Sequence, residues 1–318
     1  MSKKTKNVAI SISGGAIKLI ALITSFIELL NNNVRPKCGV GVSAGSIIWF
    51  LFACRRLDEG LELARKSHDI RIIFSLLRSP ITRKGGISFW ALFRQLGGKP
   101  YLGKFDNLEK NIRSICSEKD YNTNYLHNND SIPIYICFVE KETRKSRIVN
   151  LQNVSYDQAI SIVMASASAY PTVAPVKIFD GSRYILGIDG GHKEHSAGSL
   201  LLEKEYNTSE TLNLTELITI WSRDSPGKYL GEYIKDNDKN FINALESTTI
   251  RASLEETSVN DEYKEKELCE NLGIDYYPIY IRKFTDESFV ITKSQIKLAE
   301  EIAKKATYNY YLKYQTIK

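Results

Sequence analysis

Three short stretches of the chain carry residue types able to do chemistry together. The first is Gly41-Val42-Ser43-Ala44-Gly45, a G-x-S-x-G pattern between one apolar run and a second, Ile47 to Phe52. A serine hydroxyl is a weak nucleophile unless its geometry is prepared. A sharp strand-to-helix turn prepares it by pushing the side chain out of the sheet, beside the N–H groups of a helix N-terminus. Glycines at 41 and 45 permit that strained turn and the packing around it, although a plain glycine-rich strand–helix connection uses them equally well. The second stretch is Asp189-Gly190-Gly191, after the apolar run Tyr184 to Ile188. A partly buried carboxylate is basic enough to take a serine's proton, and the glycines let it approach without obstruction. An ordinary D-G turn has the same residues. The third is Ser13-Gly14-Gly15-Ala16-Ile17-Lys18, which follows a strand-like run and opens a helical one. Its backbone donors and helix N-terminus suit a developing oxyanion. It matches neither G-x-G-x-x-G nor the Walker pattern, which sets aside a nucleotide-phosphate loop.

A base for Ser43 has two candidate sources. The chain has four histidines, His68, His127, His192 and His195. The last two follow Asp189 closely, so a Ser-His-Asp triad can be written. Its aspartate and histidine would then come from one loop, yet they must reach the serine from different directions. A Ser43–Asp189 dyad needs no histidine. On the residues alone both remain open.

These groups need elements to carry them. Val8 to Ile12 is a short β-branched run that predicts a strand, and Ile17 to Leu30 has helical patterning that stops at Asn31-Asn32-Asn33. Cys38 to Val42 predicts a second strand, followed from Ser43 by a helix to about Leu57. Strand, glycine turn and helix, repeated, predict an α/β sheet with parallel strands, and sites in such sheets form at the carboxyl ends of strands. Residues 58–130 read as helices and loops. Residues 132–139 predict a strand paired with Arg147 to Leu151. Gln158 to Ser168 predicts a small-residue helix ending before Pro171. Tyr184 to Ile188 and Glu216 to Trp221 predict strands, and Lys293 to about Tyr314 a charged amphipathic helix. No linker or internal repeat divides the chain, so it reads as one domain, with the motifs in about 7–200 and 201–318 packing on the same body.

Composition excludes several classes. A net charge of +6 over 318 residues, with no dense basic block, gives no sign of a nucleic-acid groove. Lys3, Lys4 and Lys6 read as a solvated tail. Cys38, Cys54, Cys116, Cys137 and Cys269 are scattered, odd in number and never C-x-x-C, which points to a reducing, cytoplasmic setting rather than a disulfide framework or zinc site. No acidic cluster resembles a calcium loop, and no metal or cofactor is expected. The N-terminus lacks the apolar core of a signal peptide. Leu19 to Leu30, the longest apolar stretch, falls short of the ~20 residues of a membrane span.

Taken in order, the glycine loop, the G-x-S-x-G turn and the D-G-G motif resemble the patatin-like phospholipase family. The resemblance extends to residues 164–191, MASASAYPTVAPVKIFDGSRYILGIDGG, to residues 132–150 and to the final helix, and so covers nearly the whole chain. It implies a three-layer α/β/α sandwich with a mostly parallel central sheet and helical cap elements. It also implies Ser43 as nucleophile, Asp189 as base, an acyl-enzyme, and oxyanion donors from Gly14, Gly15 and Ala16, with Lys18 at the loop's basic position. The implied activity is that of a phospholipase A or lysophospholipase, with membrane phospholipid or another acyl lipid as substrate.

Two departures bear on that expectation. Where the family usually has G-G-G-x-[RK]-G, this chain has Ala16 at the third glycine and Leu19 at the last. Alanine keeps its N–H, but a position needing φ > 0 would strain it by about 1 kcal/mol or more. After Gly191 the chain continues His192-Lys193-Glu194-His195, unlike the family's Asn–x–Pro-like continuation. An acyltransferase on the same fold, or a catalytically weak lipid-binding relative, are the alternatives. The basic and aromatic stretch from Arg71 to Arg94 suits either a peripheral contact with an anionic membrane or a helical cap over the sheet. No motif identifies a regulator.

Overall fold

A strand that alternates glycine with larger residues determines how closely the first layers pack. In β2 (Pro36–Val42), Cys38, Val40 and Val42 face one side of the sheet, while Gly39 and Gly41 face the other. On the glycine side lies α2 (Ala44–Ala53), whose indole Trp49 fills the space a side chain at 39 would take. A Cβ on Gly39 would stand 2.0 Å from the Trp49 ring, and one on Gly41 would stand 2.5 Å from the Gly45 backbone. The Trp49 Nε1–H donates to the Val40 carbonyl at 2.9 Å, so the buried indole leaves no polar atom unsatisfied.

The computed structural model describes residues 6–75, 77–82, 88–203, 212–223, 251–282 and 291–314. Lys3 and Lys4, and residues 76 and 83–87 of the basic-aromatic stretch, lie outside them. Lys6 is no free tail residue: its Nζ pairs with the buried Glu216 at 2.5 Å.

The fold is α/β in three layers. Strand β1 (Val8–Ile12) pairs in parallel with β2 on one edge and with β7 (Glu216–Trp221) on the other. β8 (Asp275–Tyr280) extends the parallel side beyond β7, and β2 pairs in parallel with β3 (Ile134–Glu140). Antiparallel pairing is confined to the region of β3, where β4 (Ser146–Asn150) and β6 (Tyr184–Asp189) join it and β5 (Val176–Phe179) joins β6. One face is covered by α1 (Leu19–Asn31), α2, α7 (Tyr156–Ser166) and the C-terminal α10 (Lys293–Tyr314), around Ile10, Ile12, Phe26, Trp49 and Val163. The other is covered by α8 (Gly198–Leu202) and α9 (Arg251–Leu272), around Ala9, Val40, Cys137, Leu201 and Cys269. Between α2 and β3 the chain forms a helical segment, called the cap, of α3 (Leu57–Arg65), α4 (Phe89–Leu96), α5 (Asp106–Ile115) and α6 (Glu118–Tyr121), in which α3 packs on α1 and α2, and α5 on α7. No helix among the described residues is long and apolar enough to cross a membrane.

The decisive register is on β3. Phe138 and Val139 pair with both β4 and β6, so these two strands lie on opposite edges of β3. Tyr135, Ile136 and Cys137 pair with both β4 and β2, so β2 also lies opposite β4. β2 and β6 therefore share one edge of β3 and run toward each other. Their ends meet, with Val42 opposite Cys137 and Asp189 opposite the next residue, Phe138. The buried Glu140 carboxylate holds this arrangement at its margin, pairing with Arg147 of β4 at 2.6 Å and with Arg183 just before β6 at 3.0 Å.

The structure departs from the sequence expectations in a few places. The helix after Ser43 stops at Ala53 rather than about Leu57, because Arg55 takes φ 57° and the chain restarts as α3. β8 contains Pro278, which a central strand would exclude; it is tolerated because, among the described residues, β8 ends the sheet's bonding path and pairs only with β7. β5, α8 and α9 had no distinct sequence signal. Gly39→Ala is expected to lower stability by about 1–3 kcal/mol through displacement of Trp49, read as a lower urea midpoint with an unchanged slope.

Candidate active site

Ser43 sits at the point where β2 gives way to α2, with φ 52° and ψ −113°. Such a backbone is costly for a residue with a side chain and is found where function requires it. As the N-cap of α2, a serine ordinarily turns its oxygen onto the first N–H groups of the helix. Ser43 does not; its side chain makes no cap bond, and Ser46 N donates instead to the Ser43 carbonyl at 3.0 Å. The freed hydroxyl donates to Asp189 Oδ2 at 2.8 Å, across 146 positions of sequence. Gly45 makes this possible by close approach: a Cβ there would lie 2.1 Å from the Ile12 carbonyl oxygen.

Asp189 ends β6 and is 8% exposed, as Ser43 is 7%. Its Oδ1 accepts the Gly191 N–H at 2.7 Å, which leaves Oδ2 for the serine. Gly190 is small because the loop runs against the strand ends; a Cβ would come within 2.7 Å of the Cys137 carbonyl and 2.9 Å of Val42. Burial pushes the Asp189 carboxyl up to about 6, against the opposing pull of the Ser43 and Gly191 hydrogen bonds. It is ionised at neutral pH yet more basic than an exposed aspartate.

Two serines with no motif of their own hold the pair together. Ser166, at the end of α7, donates to the Cys137 carbonyl at 2.6 Å and accepts the Ser43 N–H at 2.9 Å. The Ser168 carbonyl accepts the Asp189 N–H at 2.9 Å. The small residues of this stretch were legible, but nothing local in the sequence shows that two of them bond to the Ser43 and Asp189 backbones.

The glycine loop lies alongside. A Cβ on Gly14 would be 3.4 Å from Ser43 Cβ. The Gly14 N–H is already engaged, donating to the His195 carbonyl at 2.9 Å. The N–H groups of Gly15 and Ala16 have no acceptor among the described residues. Ala16 stands at φ 43°, the conformation that glycine adopts freely and alanine at a cost of roughly 1–2 kcal/mol. Lys18 Nζ donates to the Ser222 carbonyl at 2.6 Å, tying the loop to the end of β7.

Neither late histidine bonds Ser43. His195 Nε2 lies 3.2 Å from Ser222 Oγ, and its ring stacks on Trp221 at 12° between planes. Desolvation, with the Lys18 and Arg223 charges, holds it at about 3, so it stays neutral. His192 lies on the turn Gly190–His192, just past Asp189. Around His195 a buried polar network runs to α9: Asp261 accepts the N–H groups of His195 and Ser196, at 2.6 and 3.2 Å. Glu265 accepts Gly198 N–H at 3.0 Å, Thr219 Oγ1–H at 2.7 Å, and the Ser196 hydroxyl. The carboxylates of α9 thus fix the segment whose carbonyl anchors Gly14. Among the described residues no group of three or more His, Cys, Asp or Glu side chains is arranged to hold a metal ion.

A family model for patatin-like phospholipases matches residues 10–197, the span from β1 through the Asp189 loop. No curated protein sequence matches the chain significantly. Among solved structures, the crystal structure of VipD from Legionella pneumophila is similar with a TM-score of 0.42 and 12% identity, over 96% of this chain and 67% of that one. The crystal structure of the type III effector protein ExoU is similar with a TM-score of 0.43 and 12% identity, over 98% of this chain and 53% of that one. The chain therefore spans about half the length of ExoU.

Burial raises three carboxyls in this region: Asp189 to about 6, Glu265 to about 7 and Asp261 to about 8. An acid held above its unfolded value leaves the folded state carrying more protons, so its stabilising share is full below about pH 4 and is lost as pH rises through the folded value. Over pH 5 to 8.5 the denaturation midpoint should therefore fall, and Glu265→Gln, which cannot ionise, should flatten that fall. An equally steep fall in the variant would contradict the assignment.

Proposed function

We propose, for a chain that belongs to the patatin-like phospholipase family and is thereby a lipid hydrolase, that Ser43 and Asp189 form its catalytic dyad and cleave ester-linked acyl chains through an acyl-enzyme. The observation that carries the proposal is the 2.8 Å hydrogen bond between the Ser43 hydroxyl and a buried carboxylate of raised basicity. Ser43 Oγ attacks the ester carbonyl carbon while its proton passes to Asp189 Oδ2. The tetrahedral oxyanion is received by the Gly15 and Ala16 N–H groups, with the N-terminus of α2 adding its dipole. Gly14 holds the loop against the serine through its bond to His195. Collapse of the intermediate expels the alcohol, which takes the proton from Asp189. Water then attacks the acyl-enzyme, gives its proton to Asp189 and releases the fatty acid, and the proton returns to Ser43.

His195 serves in this scheme as a support for the loop: its Nε2 bonds Ser222 and its carbonyl holds Gly14, while the Ser43 hydroxyl donates to Asp189. The substrate is a phospholipid or lysophospholipid presented at a membrane surface, with the enzyme bound peripherally. Lys18 contributes by fixing the loop to β7 rather than by contacting the reacting ester.

A fluorophosphonate probe should label the wild type and not Ser43→Ala. Asp189→Asn should lower kcat/KM on a short soluble ester by about 100- to 10,000-fold while the protein stays folded. Activity should rise with pH through about 6 and then level, as the carboxylate loses its proton. His192→Ala with His195→Gln should keep most activity; a loss as large as that of Asp189→Asn would restore the triad. Release of free fatty acid from phospholipid vesicles is expected, and a new acyl ester in its place would indicate transfer to an acceptor other than water.

A further inference from the structure

Helix α4 is amphipathic in the wrong sense for a helix covering a core. Its inward side carries Ala91, fully buried, and Arg94, whose guanidinium donates to the carbonyls of Leu77 at 2.6 Å, Ser79 at 3.1 Å and Leu102 at 2.7 Å. Its outward side carries Phe89, Trp90, Leu92, Phe93 and Leu96, which are 65, 44, 51, 54 and 85% exposed. The three aromatic rings touch one another, with Phe89 and Phe93 centroids 4.8 Å apart. The helix is well made. Ser88 caps it by accepting the Ala91 N–H at 3.1 Å, and donates to the Ser79 carbonyl at 2.5 Å. A polar anchor thus displays an apolar ridge to solvent, and a ridge of this size on a soluble surface marks a binding site.

Charge indicates what the ridge meets. Between Asp69 and Asp106 the sequence contains no acidic residue, while Arg71, Arg78, Arg94, Lys99 and Lys104 fall in that interval. Lys99 and Lys104, just past the helix, are exposed. Aromatic and leucine side chains flanked by exposed lysines match the headgroup zone of an anionic bilayer, the bounding carboxylates Asp69 and Asp106 being paired with Arg71 and Arg78. The ridge is also connected to the candidate site. Leu102 N donates to the Pro171 carbonyl at 3.1 Å and Ala174 N to the Gly103 carbonyl at 2.9 Å; three residues before Pro171, the Ser168 carbonyl holds Asp189 N–H.

We propose that α4, with Lys99 and Lys104, is the surface by which this chain docks on an anionic lipid bilayer, its aromatic ridge entering the interface. The proposal rests on the lipid-hydrolase reading for its substrate, but docking itself needs no catalysis. Trp90 offers a direct probe, because Trp49 and Trp221 are fully buried.

The Ser43→Ala protein, mixed with vesicles of phosphatidylcholine with and without phosphatidylglycerol, should show a blue shift of Trp90 emission and its quenching by brominated acyl chains, stronger with the anionic lipid. Phe89→Ser with Phe93→Ser should weaken vesicle partition about tenfold or more. Lys99→Glu with Lys104→Glu should weaken it by at least about fivefold per lysine on anionic vesicles and little on neutral ones. Both double variants, made with Ser43 intact, should keep the melting temperature and soluble-ester hydrolysis of the wild type. Unquenched Trp90, or vesicle affinity unmoved by either double variant, would overturn the docking surface. So would a concentration-dependent dimer abolished by the phenylalanine changes without any vesicle binding, which would give the ridge to a second copy of the chain. Vesicle binding that persists while soluble-ester hydrolysis is absent from the wild type would instead sink the Ser43–Asp189 reading and leave the docking surface standing.

Discussion

One edge of β3 carries two strands end to end, and the candidate site exists because of it. β2 climbs that edge to Val42, opposite Cys137, and β6 descends it to Asp189, opposite Phe138. The serine that leaves β2 and the aspartate that ends β6 have nowhere to go but toward each other. Backbone pairing sets this meeting to within one residue, because shifting β6 by a single position would turn its side chains to the opposite face of the sheet. Ser166 fills the junction, bonded to the β3 carbonyl at Cys137 and to the N–H of Ser43. Glu140 and its two arginines fasten the far end of the same strand.

Local strain and buried charge accumulate around this junction. Ser43 and Ala16 both have positive φ, and Asp189 keeps a carboxylate in a nearly dry setting. Each costs stability, and each is held by more strongly determined surroundings: close-packed Gly41 and Gly45, the indole of Trp49, and the large core on the α1–α2–α7 face. Preorganisation of this kind is what a nucleophile and its oxyanion donors require, since groups already aimed need no rearrangement when charge develops. The second face contributes differently. Asp261 and Glu265 of α9 bond the segment 195–198. That segment's carbonyl then fixes Gly14. A helix beyond the family-model span thereby helps to shape the glycine loop.

The cap has a different character. Its α4 presents apolar side chains to water and its arginine to protein, the reverse of the usual helix arrangement. In sequence, the stretch from Arg71 to Arg94 suits a membrane contact and a helical cap over the sheet alike, and periodicity has no means of telling an inward ridge from an outward one. The difference lies in what Arg94 finds beneath it, the carbonyls of Leu77 and Ser79 from one loop and of Leu102 from another. Lys18 poses the same difficulty in reverse: its place in the glycine loop suggests a ligand, while its observed partner is the Ser222 carbonyl at the end of β7, 204 positions away.

The amino-acid sequence by itself determined the chemical groups and the units that carry them. β-Branched residues alternating with Ala9 and Ser11 make β1, glycines alternating with larger residues make β2, glycines on both sides of Ser43 make the turn, and Glu216–Trp221 and Lys293–Tyr314 fall where their patterns place them, because those preferences act over a few residues. Only the tertiary structure decided that the serine meets an aspartate 146 positions away and not a histidine, that Ala16 takes the left-handed conformation, and that Ser166 braces the junction. Those outcomes depend on which strand edges pair and in what register, and hydrogen bonds between distant strands leave no periodic trace in the residues that make them.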